Sequence, residues 1–338
     1  MNFRHLAILA ATGLGAQSAL AQQAVVNLYT ARHYQTDEAL YAKFEKATGI
    51  KVNRIEGKED ELIERIRSEG ANSPADVFIT VDASRLAKAE QLGLFAPVKS
   101  KVLEQRIPAH LRTADWFSFS LRARVIVYNS ALVNGADVQT YEDLANPRLK
   151  GRICVREGNH PYNLSLGSAI LAHDGTARTE AWARGLVANL ARAPKGGDTD
   201  QLKSVAAGEC GVAVANSYYV ARLMRSDKPE DRKVADALTV VWPNQKSWGT
   251  HVNVSGGGML KSAPNKANAQ KLLEFFASDE AQVYFADGNN EWPVVKSVKV
   301  RNPALDKLGP FKADELPIGK VSSGTAEAQK IFDRAGFM

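Results

Sequence analysis

Residues 116–129 (WFSFSLRARVIVYN) form one uninterrupted strand-like run. That is more than twice the mean strand length of about 5–6 residues, so the run is expected to cross from one globular body to another. A β-branched return follows in two pieces, residues 238–243 (LTVVWP) and 250–255 (THVNVS). Two crossings leave the first body discontinuous in sequence and predict a hinged clamshell. Residues 22–125 with 250–338 would form one lobe and residues 126–249 the other. The 338 residues suit two bodies at roughly 100–200 residues per domain.

Within each body, apolar β-branched runs alternate with amphipathic stretches, which predicts an α/β class with mainly parallel sheets. Strands are expected at 25–29, 51–55 and 74–82, and helices at 36–47, 60–69 and 83–91. Thr36 is placed to cap the first helix and Gly49 to end it. The second body should hold strands at 152–156 and 211–215 and helices at 164–173, 179–190 and 200–207. Helices at 265–277 and from Asp279 onward are expected to pack back on the first lobe. Gly256, Gly257 and Gly258 lack the G-x-G-x-x-G context of a nucleotide site and predict a tight turn after the return strand.

The first 21 residues read as a leader: Arg4 and His5, an apolar stretch at 6–14, then Ala19, Leu20 and Ala21. This is the pattern of a secretory signal peptide, which predicts a mature chain starting near Gln22 in the periplasm. Loss of Arg4 leaves one fewer than the 43 basic residues against 37 acidic ones, a net charge of +5. The basic residues are scattered, with no aromatic-interleaved patch, which argues against nucleic acid as a partner. Cys154 and Cys210 are an even pair in an oxidising compartment, compatible with one disulfide or with two buried thiols.

Loops after the carboxyl ends of parallel strands face the ligand crevice of α/β units. Three such loops carry ligating side chains: His33 and Tyr34 after the first strand, Tyr162 after the strand at 152–156, and Tyr218 and Tyr219 after the strand at 211–215. A tandem tyrosine pair is in general more often packing than ligand, but tyrosines and a histidine from both lobes suit a hard, highly charged cation. Four phenolates about Fe³⁺ carry a net −1, which calls for an arginine beside them. Arg124 on the crossing run is the candidate, with Arg32 behind it. Tyr29, Tyr41, Tyr128 and Tyr284 fall on apolar faces and are expected to pack. His251 is expected to make a structural hydrogen bond and His160 to lie at the surface.

Segments 28–34 (LYTARHY), 73–78 (SPADVF), 151–156 (GRICVR), 206–211 (AAGECG), 216–219 (NSYY) and 249–256 (GTHVNVSG) together resemble the ferric-binding proteins of bacterial ABC iron importers, in their tyrosine-rich branch. The resemblance spans nearly the whole mature chain. It implies a type II periplasmic binding protein fold with two crossing hinge strands, Fe(III) as the transported ligand, an inner-membrane ABC permease as partner, and a monomer. By position Tyr218 and Tyr219 match the family's tandem ligands, His33 its first-lobe histidine, and Tyr34 and Tyr162 the further tyrosines of that branch. Cys154 and Cys210 match a pair that the branch can bridge. Val81 stands where anion-dependent members carry a glutamate, so a synergistic anion is not expected to be required. The competing expectations are a binding protein of the same fold for an anion, a polyamine or thiamine, and a secreted enzyme, for which no G-x-S-x-G, H-E-x-x-H or P-loop motif is present.

Overall fold

A computed structural model describes residues 23–32 and 36–338. The leader, His33 and Tyr34 lie outside the described residues.

Three strands build the first half of the sheet: β1 (Val25–Thr30), β2 (Lys51–Glu56) and β3 (Val77–Thr80), with β1 parallel to both neighbours. The expected crossing run is the 12-residue β4 (Phe117–Tyr128). The second half holds β5 (Ile153–Cys154) and β6 (Val212–Asn216), which are parallel, and the short β7 (Thr239–Val241). The return is β8 (Val252–Met259), and β9 (Trp292–Pro293) adds a bridge to β4. Strand order is β2-β1-β3-β8-β4-β6-β5. The sheet is mixed rather than mainly parallel, because β8 runs antiparallel to β3 and β4, and β4 antiparallel to β6. One strand leaves a lobe and the other comes back, so they must oppose each other.

β4 changes partners midway. Up to Ala123 it pairs with β8, and from Arg124 onward with β6. Side chains on either side of that handover fill different cores. Leu28, Phe44, Phe78, Phe119 and Phe276 belong to one cluster; Ile126, Tyr141, Leu166, Trp182 and Val214 belong to another. Apolar burial of this kind stabilises each body by itself at about 25 cal/mol per Å², and the chain between the two cores can bend.

Two local expectations are corrected. The glycines 256–258 lie within β8, where each is buried, not in a turn. A Cβ on Gly256 would meet the Phe117 carbonyl oxygen at 2.5 Å and one on Gly257 the Phe78 carbonyl oxygen at 2.5 Å, so side-chain-free positions let β3, β8 and β4 lie close. Thr36 precedes the helix Asp37–Thr48 without capping it, because its hydroxyl is bonded to Asn289 Oδ1 at 2.5 Å; Gly49 does end the helix, at φ 69°.

The tail does not stay on the first body. Ile318 and Val321 bury in the first core, whereas Ile331, Phe332, Ala335 and Phe337 bury in the second. The chain therefore passes between the bodies a third time, near Gly324. No helix among the described residues is long and apolar enough to cross a membrane.

Candidate metal centre

Two helices aim their first turns at one place. The helix Pro161–Asp174 begins with proline at its first position, where a missing N–H costs nothing, and carries Tyr162 there. The helix Ser217–Met224 follows β6 without a connecting loop and carries Tyr218 and Tyr219 in its first turn. The Tyr162 and Tyr218 hydroxyls lie 3.3 Å apart. Two oxygens bonded at right angles to one hard cation at about 2.0–2.1 Å are roughly 3 Å apart, so this spacing suits shared ligation. The Tyr218 and Tyr219 rings meet at a 31° tilt with centroids 4.2 Å apart. Tyr218 is fully buried and Tyr219 half-buried.

Guanidinium groups surround these rings. Arg156, Arg124 and Arg122 sit 5.0, 5.6 and 5.9 Å from the Tyr162 ring centre. Arg222 lies 5.6 Å from the Tyr218 ring and 5.4 Å from that of Tyr219. Burial pushes the Tyr162 phenol up to about 12, against the opposing pull of Arg122. Such a phenol gives up its proton only to a strong Lewis acid, and the arginines then stabilise the phenolate.

Asp198 orders this shell. Buried at the first turn of the helix Asp198–Ala206, its carboxylate takes Arg124 Nη1 at 2.6 Å, Arg156 Nη1 at 3.1 Å and the Asn216 amide at 2.7 Å. Arg124 also donates to Asn163 Oδ1 at 2.8 Å, and the Asn163 amide donates to the carbonyls of Arg156 and Glu157 at 3.0 Å each. The loop before Tyr162 is thereby tied to the crossing strand.

Arg124 thus lies between Asp198 and the Tyr162 ring. Arg32 is buried in the first body, 2.7 Å from Asp37 and 3.4 Å from Glu291, and lines the same cleft as Tyr162. That cleft has a volume of about 700 Å³ and is also lined by Val81, Arg85 and His160. Val81 contributes no donor, and the neighbouring Asp82 is engaged as the cap of the helix Ala83–Gln91. His160 is half-buried, not at the surface: its Nδ1 accepts the Tyr162 amide at 3.2 Å, and its ring meets that of Tyr162 at 4.5 Å. Burial, with Arg156 and Arg124 beside it, pushes His160 down to about 3, so the imidazole is neutral. His251 makes its structural bond, to Ser165 Oγ at 2.8 Å. Cys154 and Cys210 are bridged across 5.8 Å between Cα atoms. Among the described residues no group of three or more His, Cys, Asp or Glu side chains could hold a metal.

Asp198, Arg122, Arg156 and Arg222 were not foreseen. Arg122 and Arg124 are two apart on a strand and so share a face, a signal legible beforehand. Asp198 gave no such signal, since its partners are 18 to 74 residues away.

Two α/β bodies joined by antiparallel crossing strands, with a cleft between them lined by charged side chains and Tyr162, define a clamshell solute-binding protein. The chain belongs to the bacterial extracellular solute-binding protein family, whose model matches residues 72–313. It is 48% identical to iron uptake protein A1 of Synechocystis sp. over 94% of this chain and 88% of that one. The iron- and citrate-bound Trichodesmium protein IdiA (FutA) superposes with a TM-score of 0.90 at 51% identity, covering 93% and 100% of the two chains. The Bordetella ferric binding protein gives 0.86 at 41% identity, covering 93% and 99%.

Proposed function

We propose that this protein captures ferric iron in the periplasm and delivers it to an inner-membrane ABC permease. The observation that carries the reading is the pair of phenol oxygens 3.3 Å apart on separate helices, inside a ring of arginines. Tyr162, Tyr218 and Tyr219 supply oxygen ligands from the second lobe, and His33 and Tyr34 complete the set from the first. The tandem pair grips the ion, and closure of the first lobe excludes water. Arg124 offsets the phenolate charge from the second lobe, and Arg32 does so from the first. With Tyr34 as the anionic ligand of the first lobe in place of the glutamate that Val81 replaces, a synergistic anion is not required. The protein works by binding and release as a monomer, without covalent chemistry.

The test is titration of metal-stripped protein with a weakly chelated ferric salt, following a tyrosinate-to-iron charge-transfer band. The parent should form a coloured one-to-one complex. Tyr218→Phe combined with Tyr219→Phe should abolish the band and tight binding while changing stability by no more than about 1–2 kcal/mol. Unchanged ferric affinity in that double variant refutes the assignment.

A further inference from the structure

The segment 249–256 has so far no role beyond a strand, yet its side chains meet one hydroxyl of the other lobe. Ser165 lies three residues beyond Tyr162 on the helix Pro161–Asp174 and is buried at 1% exposure. Its Oγ is 2.8 Å from His251 Nε2 and accepts Asn253 Nδ2 at 2.9 Å. His251 and Asn253 are two apart on the return chain and converge on the same atom. Asn253 reaches equally into the first lobe: its Nδ2 donates to Asp82 Oδ2 at 2.8 Å, and its Oδ1 accepts the Ala83 amide at 3.0 Å. Asp82 Oδ1 meanwhile caps the same first-lobe helix through the Ser84 amide at 2.8 Å.

We infer that Asn253, with His251 and Ser165, is a positioning clamp that sets the angle between the lobes and so places Tyr162 opposite the first lobe. Asn253 is suited to this because a carboxamide donates twice and accepts as well. Here it donates to one group of each lobe, from a position 6% exposed. Ser165 Oγ, with two lone pairs and one proton, accepts from Asn253 and makes its second hydrogen bond with His251 Nε2. Residues three apart on a helix share a face, so a shift at Ser165 carries Tyr162 with it. Asn253 and Ser165 bond to each other, to His251 and to the start of the Ala83–Gln91 helix, and neither is among the proposed ligands. Their effect is geometric, and a misplacement of about 1 Å is enough to weaken a preorganised site.

The inference about affinity rests on the ferric reading, but the lobe angle does not. Spin labels on cysteines introduced as Lys46→Cys in the first lobe and Arg178→Cys in the second report the interlobe distance in iron-free protein. The parent should give one narrow distribution. Ser165→Ala should broaden or shift it, as should Asn253→Asp, which sets two carboxylates against each other. The reciprocal pair Asp82→Asn with Asn253→Asp restores a donor facing an acceptor and should return the narrow distribution. Ferric affinity should fall roughly tenfold or more in the single variants and recover in the reciprocal one. Identical distributions in the parent and Ser165→Ala overturn the clamp, as does a folded reciprocal variant that stays broad. Should Asn253→Asp unfold, Ser165→Ala and the reciprocal pair decide. A parent that binds no iron removes the ferric reading, while the distances still judge the clamp.

Discussion

Asp198→Asn keeps the shape of the side chain and removes its charge, which isolates what one buried carboxylate does for the site. In the parent, one negative group at 1% exposure serves Arg124, Arg156 and the Asn216 amide. The amide variant has a single acceptor oxygen for those three donors, and the local charge of the trio rises from +1 to +2. Removing one partner of a buried ion pair costs about 3–5 kcal/mol, chiefly because the remaining charge is stranded away from water. For a body of the size of residues 126–249 each kcal/mol lowers Tm by roughly 4 °C, so the second lobe of the iron-free protein should melt about 12–20 °C lower. Scanning calorimetry reads this directly. Adding Arg156→Gln returns the charge of the trio to +1 and should recover part of the loss. A shift of less than about 3 °C in Asp198→Asn, or no recovery in the double variant, refutes the claim that Asp198 balances two buried guanidiniums.

Three further outcomes follow from the same geometry. Tyr162→Phe keeps the ring among its arginines and loses only the hydroxyl, so stability should move by less than about 1 kcal/mol; ferric affinity should fall by more than the 10- to 100-fold typical of an outer-shell partner, measured by competition with a chelator. Replacing Cys154 and Cys210 together by alanine opens a loop of 56 residues and should cost about 4 kcal/mol, seen as a lower denaturation midpoint without reductant; a loss under about 1 kcal/mol contradicts it. Burial, followed by the Arg124 charge, pushes His251 down to about 3, so between that value and the unfolded pKa near 6.5 the unfolded chain binds the extra proton. Its contribution is complete above about pH 6.5 and is lost on acidification at up to about 1.4 kcal/mol per pH unit; His251→Gln should flatten the pH profile of iron-free stability by that amount.

Much of the architecture was legible because it depends on local patterns. A strand-like run over residues 116–129 has no place inside one small lobe, strand-to-helix switches mark the crevice, and a hard-cation chemistry follows from the tyrosines themselves. Those arguments bring Tyr162, Tyr218, Tyr219 and Arg124 to one region, where the fold also gathers them. The cysteine pair was legible only as two alternatives, since bridging needs a Cα separation that sequence does not carry.

What the tertiary structure alone decided are pairings between distant segments. The glycine triplet looked like a turn because glycine permits turns, and only the approach of β3 and β4 on both sides of β8 shows why side chains are excluded there. The last helix, Thr325–Ala335, is expected on the first lobe with the rest of the tail, and Ile331 and Phe332 bury in the second core instead. Asp198 is an ordinary acidic residue in the chain and becomes the electrostatic centre of the site because β4, β6 and two helix starts meet around it. Residue types and their spacing determine which chemistry is available. Where a buried charge finds its partner is set by contacts across tens of residues, which a linear pattern does not encode.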